Sequence, residues 1–283
     1  MMNIFDHFNE SMEDISRKIE EILSQYRASI DLQEAYRFIL SSIDLTTLNG
    51  DDRAETIDNL CKKALSFADP EKNIPNVAAV CVYPPFATQA KRFLEKTNLR
   101  VAAVAGCFPS GQSPLFVKLA EVAYTAQEGA DEIDMVISRG KFLEGKYEEV
   151  GGEIAAIKNA CGAAHLKVIL ETGELKTVEN IRKASEIAIL SGADFIKTST
   201  GKIQPAATLE AAWIMMTTIK EYHEKTGKKI GFKPAGGISE PEEALDYYIL
   251  LKHILGDAWM NNNLFRIGAS RLADKVYKAL LTN

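Results

Sequence analysis

Apolar positions along this chain change their period once. Between residues 11 and 40, Met12, Ile15, Ile19 and Ile22 recur every three or four positions, and Leu32, Tyr36, Ile39 and Leu40 resume the pattern after Ser29-Ile30-Asp31. That spacing lines up one face of an α-helix, and Asp31 is suited to cap the second of two such helices. From Ile43 onward, short apolar runs alternate with polar loops and amphipathic stretches. The runs predict strands over 42–45, 77–82, 100–105, 132–137, 166–171, 194–198, 229–233 and 264–268. Helices are predicted over about 53–67, 86–97, 114–128, 145–161, 176–191, 206–226, 239–254 and 270–280. The strands are rich in Val and Ile and mostly apolar on both faces, as parallel strands buried beneath helices should be. Eight such units, with no linker, repeat or low-complexity break, predict an α/β protein. Its architecture is a single (β/α)8 TIM barrel over 42–283 behind an N-terminal helical extension over 1–41. A doubly wound open sheet would need a Gly-rich turn after an early strand, and G-x-G-x-x-G is absent.

Composition narrows the function more than the fold. The chain has 283 residues, within reach of the roughly 250 that one such barrel uses. A formal net charge of -6 argues against a nucleic-acid partner, because neutralising phosphates takes a basic surface. A local basic pocket for a small phosphorylated molecule remains compatible with it. No apolar run approaches the roughly 20 residues of a membrane span, and Met1-Met2-Asn3-Ile4-Phe5-Asp6 lacks the basic and apolar regions of a signal peptide. Cys61, Cys81, Cys107 and Cys161 form no C-x-x-C pair, as expected of free thiols in a reducing cytoplasm. The histidines are equally scattered, with no metal-ligand spacing, so the expected chemistry uses no metal and no other cofactor. The N-terminal helices carry no chemistry. They are expected to pack under the core or against a second subunit, which leaves a homodimer open.

Candidate chemistry sits where a barrel places it, at the C-terminal ends of the strands. The polar residues there are Asp44, Cys81, Asp134, Lys167, Glu171 with Thr172, Lys197, Lys233 and the turn Gly268-Ala269-Ser270-Arg271. Lys197 closes an apolar run and is followed at once by Thr198-Ser199-Thr200-Gly201. A buried lysine there is either a structural ion-pair partner or an amine nucleophile. At an ordinary pKa only about one lysine in 2,500 is neutral at pH 7, and making half of them neutral takes about 4.6 kcal/mol. A second ammonium about 5 Å away, at an effective dielectric near 20, supplies roughly 3.3 kcal/mol of it. Partial desolvation can supply the remainder. Lys197 and Lys233 lie on consecutive predicted strands, where such a separation is natural.

Seven stretches carry a family resemblance. They are Ile43-Asp44-Leu45-Thr46-Thr47-Leu48, Val80-Cys81-Val82-Tyr83-Pro84, Glu132-Ile133-Asp134, the run from Leu166 to Leu175, the run from Asp194 to Lys202, the run from Gly231 to Gly237, and Phe265-Arg266-Ile267-Gly268-Ala269-Ser270. In that order and spacing the chain resembles the deoxyribose-phosphate aldolase family from about residue 42 to residue 275. The resemblance implies a metal-free class I aldolase that cleaves 2-deoxy-D-ribose 5-phosphate to glyceraldehyde 3-phosphate and acetaldehyde. It makes Lys197 the Schiff-base lysine, Lys233 the neighbour that lowers its pKa, and Asp134 the proton donor and acceptor. Lys167, Asp44, Cys81 and Thr172 are then expected around the substrate, and Gly201, Gly236, Gly237, Gly268 and Ser270 around its phosphate. Glycines after the last two strands and a helix start suit that task, since backbone N–H groups can approach an anion there.

The chain departs from the family pattern in two places. Arg271 stands where short bacterial members carry a second serine, and it can either contact the phosphate or point outward. The C-terminal tyrosine of some members is missing from Leu280-Leu281-Thr282-Asn283.

Overall fold

The computed structural model of the chain describes residues 4–282. Met1–Asn3 and Asn283, at the outer ends of the extension and the barrel as the sequence divides them, lie outside the described residues. Helices α1 (Met12–Tyr26) and α2 (Leu32–Ser41) lead into β1 (Ile43–Thr46). There follow α3 (Ala54–Leu65), β2 (Ala79–Val82), α4 (Ala87–Leu94), β3 (Arg100–Ala105), α5 (Leu115–Gln127) and β4 (Glu132–Val136). A short α6 (Arg139–Leu143) precedes α7 (Tyr147–Ala160) and β5 (His165–Ile169), and a short α8 (Thr172–Leu175) precedes α9 (Val178–Leu190) and β6 (Phe195–Lys197). The chain ends with α10 (Leu209–Thr226), β7 (Gly231–Lys233), α11 (Pro241–Leu255), β8 (Ile267–Ala269) and α12 (Leu272–Thr282).

All neighbouring strands run parallel, in the order β7-β6-β5-β4-β3-β2-β1-β8. Backbone bonds close the ring between its two ends. Phe232 N–H donates to Leu264 O (2.9 Å), Arg266 N–H to Phe232 O (3.1 Å) and Gly268 N–H to Pro234 O (2.9 Å). Residues 264–266, read from the sequence as strand, therefore do bond to β7, although the regular ladder with β1 begins only at Ile267. The single turns α6 and α8 are too short to display a helical period and were not expected. The helix predicted over 206–226 starts at Leu209, where the Thr208 hydroxyl accepts from Ala211 N–H.

Strand side chains alternate between two environments. Outward residues such as Val80, Ile133, Val168, Ile196 and Phe232 join the core shared with the helices. Inward residues of β2 and β3 form a small apolar cluster of Cys81, Ala102 and Val104 with Leu48. The inward faces of β1 and β4–β7 carry buried charges instead. The expectation of strands apolar on both faces thus holds for β2 and β3, and fails where the barrel builds a site.

The extension packs on the outside of the barrel. Asp31 caps α2 as expected, accepting from the N–H groups of Gln33 and Glu34. Ile15, Ile19, Ile22 and Leu23 of α1 are buried in the same core as α10 and α11, and Phe38 of α2 stacks on Phe265 and meets Tyr248 edge-on. Ile15 is fully buried, so Ile15→Ala should cost about 2–4 kcal/mol. Urea unfolding would show this as a lower midpoint with an unchanged slope, whereas an unmoved midpoint would mean that α1 folds apart from the barrel.

Candidate active site

Register decides which charges meet inside the barrel. Asp134 pairs across the ladder with Lys167, and Lys197 with Lys233. Residues two apart on one strand share a face, so Glu132 lies one layer below Asp134, and Arg266 one layer below Gly268. The two carboxylate oxygens of Asp134 serve three lysine amino groups: Oδ1 accepts from Lys167 (2.9 Å), and Oδ2 from both Lys197 (2.8 Å) and Lys233 (2.7 Å). Lys197 and Lys233 are therefore no more than about 5.5 Å apart. Lys233 also donates to Asp44 (2.5 Å), and Lys167 contacts Glu132 (2.5 Å). A carbon chain fits this crowd only because position 268 is glycine: a Cβ there would stand 3.2 Å from Lys233 Cε and 2.8 Å from Ala235 Cβ.

The two adjacent lysines are pushed in opposite directions. Burial disfavours the Lys197 ammonium and the charge of Lys233 adds to that, so its pKa falls below the ordinary lysine value despite the pull of Asp134. Burial acts on Lys233 as well, but Asp134 and Asp44 outweigh it and hold its pKa above the ordinary value. Lys167 is likewise raised, by Asp134 and Glu132. Burial alone would raise the Asp134 carboxyl; Lys167, Lys197 and Lys233 reverse this and keep it well below the carboxylate range.

A cavity of about 310 Å³ opens above this layer. Of the three lysines only Lys197 lines it, together with Gly201, Gly236, Gly237, Gly268 and Ser270. Gly236 has φ +83°, and a Cβ on it would strike Ala206 Cβ at 2.7 Å and Gly201 Cα at 2.9 Å. This close approach brings the loops after β6 and β7 against each other. Arg271 and Lys202 reach the same cavity, and Lys202 Nζ donates to Leu48 O. Asp134, Lys233, Lys167 and Asp44 lie behind Lys197 and do not line the cavity. Cys81 is buried beside them, with its thiol pushed up by burial and by Asp134, and it too does not line the cavity. Thr172 is not brought to this site. It lines a separate cavity with Met12 and Pro205, and its hydroxyl has no hydrogen-bond partner, because the turn into α8 carries it off the end of β5.

Two contributors, Glu132 and Arg266, escape a reading confined to strand tips, while Glu171 stands among the strand-end candidates of the sequence. Glu132 and Arg266 sit one layer lower, and the period of two, applied to Glu132-Ile133-Asp134 and Arg266-Ile267-Gly268, is the signal that finds them. Glu171, at φ +61°, is fully buried and accepts from both the N–H (3.1 Å) and the hydroxyl (2.5 Å) of Thr200. It ties down the loop that follows Lys197. Among the described residues no group of three or more His, Cys, Asp or Glu side chains is arranged to hold a metal ion, and no helix is long and apolar enough to cross a membrane.

Comparison with known proteins agrees with this architecture. The sequence profile of the DeoC/LacD family aldolase matches residues 38–249. The chain is 42% identical over 277 residues to the deoxyribose-phosphate aldolase of Homo sapiens, covering 94% of this chain and 87% of that one. It is 45% identical over 250 residues to the enzyme of the same name from Agrobacterium fabrum, covering 88% and 92%. The fold matches the tetrameric deoxyribose phosphate aldolase of Aeropyrum pernix with a TM-score of 0.68, at 24% identity over 96% of this chain and 99% of that one. The chain belongs to the DeoC/LacD aldolases, the family of the deoxyribose-phosphate aldolases.

Proposed function

We propose that this protein reversibly cleaves 2-deoxy-D-ribose 5-phosphate to glyceraldehyde 3-phosphate and acetaldehyde, in the catabolism of deoxyribose phosphates, through an imine on Lys197. One observation carries the reading: the only lysine of the buried cluster that lines the cavity is also the one whose pKa falls. The neutral Nζ attacks the sugar aldehyde at C1, and the carbinolamine loses water to an iminium. That cation draws in the electron pair of the C2–C3 bond as the C3 hydroxyl gives up its proton. Glyceraldehyde 3-phosphate leaves, and the enamine left on Lys197 is protonated at C2 and hydrolysed to acetaldehyde.

The proton traffic falls to Asp134 and Lys233. Asp134 stays a carboxylate and can accept a proton through water, while Lys233 stays an ammonium and can return one. Asp44 and Lys167 hold those two groups in place from behind. The phosphate would rest on the backbone N–H groups around Gly201, Gly236, Gly237, Gly268 and Ser270, where Arg271 adds a charge-assisted contact. Binding energy from this remote group can orient the reacting carbons.

Borohydride reduction in the presence of acetaldehyde should add an ethyl group to Lys197, located by peptide mass mapping, and Lys197→Ala should abolish both the adduct and turnover. An adduct on another lysine would move the site. Asp134→Asn should lower kcat by about 10²- to 10⁴-fold with a much smaller change in KM, as expected for a lost acid–base group. Turnover of 2-deoxyribose 5-phosphate should persist in excess chelator; inhibition there would contradict a metal-free mechanism.

A further inference from the structure

Beneath the cavity the buried charges form a closed figure. Lys167 touches Asp134 (2.9 Å) and Glu132 (2.5 Å). Glu132 receives Arg266 (2.8 Å), Arg266 also reaches Asp44 (2.6 Å), Asp44 receives Lys233 (2.5 Å), and Lys233 returns to Asp134 (2.7 Å). Three carboxylates and three cations thus alternate around a ring in which every member touches at least two of opposite sign, and Lys167 also reaches across it to Asp44 (3.7 Å). The six side chains are at most 1% exposed. Lys197 is a seventh titratable group, attached from outside to Asp134 Oδ2, an oxygen that Lys233 already uses.

We infer that Arg266 and Glu132, which close the ring on the side away from the cavity, are positioning residues: they bring its charge to zero and so leave Lys197 the one amine without a carboxylate of its own. This rests on Lys197 being the imine-forming lysine. A buried charge without a partner costs several kcal/mol in low dielectric, so the cheapest way to balance seven groups is to leave Lys197 unprotonated. Removing one ring member of either sign alters that balance. The planar fork of arginine suits the bridging position, since it bonds two carboxylates at once where a lysine offers a point charge.

The other charged and titratable groups near Lys197 do not supply this control. Cys81, from β2, is held as a thiol. Lys202 and Arg271 reach the cavity from loops open to solvent. Glu171 is committed to Thr200 and Arg139. Arg100 touches Glu132 (2.9 Å) from the solvent side, where its side chain is 32% exposed and therefore screened.

The test is the pH dependence of imine formation. Protein is incubated with acetaldehyde at a series of pH values, quenched with borohydride at timed intervals and weighed intact. Arg266→Met leaves the ring with one excess negative charge, which favours the Lys197 ammonium, so the acidic limb should move up by about one pH unit. At a fixed pH on that limb, adduct forms about tenfold more slowly. Glu132→Gln leaves an excess positive charge, and the limb should move down by a similar amount. The double variant restores neutrality and should bring the limb back, as should Arg266→Lys, which retains the charge. A purely structural role predicts slower reaction with the limb unmoved, or moved the same way in both single variants; either result overturns the inference. If thermal melts show Arg266→Met unfolded, Glu132→Gln against the wild type carries the sign test, with Arg266→Lys expected to leave the limb in place. An unmoved limb with the wild-type adduct on Lys197 removes this inference alone, whereas a wild-type adduct absent from Lys197 removes the Schiff-base reading and this inference with it.

Discussion

The site depends on one carboxylate shared by three lysine amino groups. Asp134 is fully buried, yet Lys167, Lys197 and Lys233 surround it so closely that its charged form is favoured. Each of these charges, taken alone, would cost several kcal/mol to bury; arranged together they satisfy one another. The arrangement also creates a difference. Lys167 and Lys233 each reach a second carboxylate, and Lys197 does not. An amine that is buried, beside a cation and short of a counter-charge, is the one that gives up its proton.

The parallel barrel makes this sharing possible. Ladder register sets Lys197 beside Lys233 and Asp134 beside Lys167, and alternation along each strand sends these side chains inward together. Small residues keep the space open, as at Gly268 against Lys233. Above this layer the loops are fastened to the strands by polar contacts. Thr198 Oγ1 accepts from Ala235 N–H, and Glu171 holds Thr200 by two bonds. Lys197 is then presented on a firm floor, beneath glycine-rich loops that bring backbone N–H groups to the cavity.

Much of this was legible in the sequence because its signals are local. The order of the strands, the change from helical to βα periodicity and the cap at Asp31 follow from neighbouring residues. The seven stretches that resemble an aldolase family include every lysine of the cluster. What was missed depends on position in depth. Attention to strand tips passed over Glu132 and Arg266, although both stand two residues before a recognised position. Thr172 was placed at the site by its neighbourhood in sequence, but the turn into α8 delivers it to another cavity. The balance between burial and repulsion at Lys197 depends on the bond from Lys233 to Asp44, which is 189 residues away.

The account centres on Lys197 as the deprotonated amine in a set of buried, charged neighbours. Protein carrying [13Cε]lysine, with assignments made from Lys197→Arg, Lys233→Arg and Lys167→Arg variants, allows each of these resonances to be followed through a pH titration. The account predicts that Lys197 titrates below the ordinary lysine value of 10.5, while Lys167 and Lys233 remain protonated above it. Titration of Lys197 at or above that of Lys233 would contradict it.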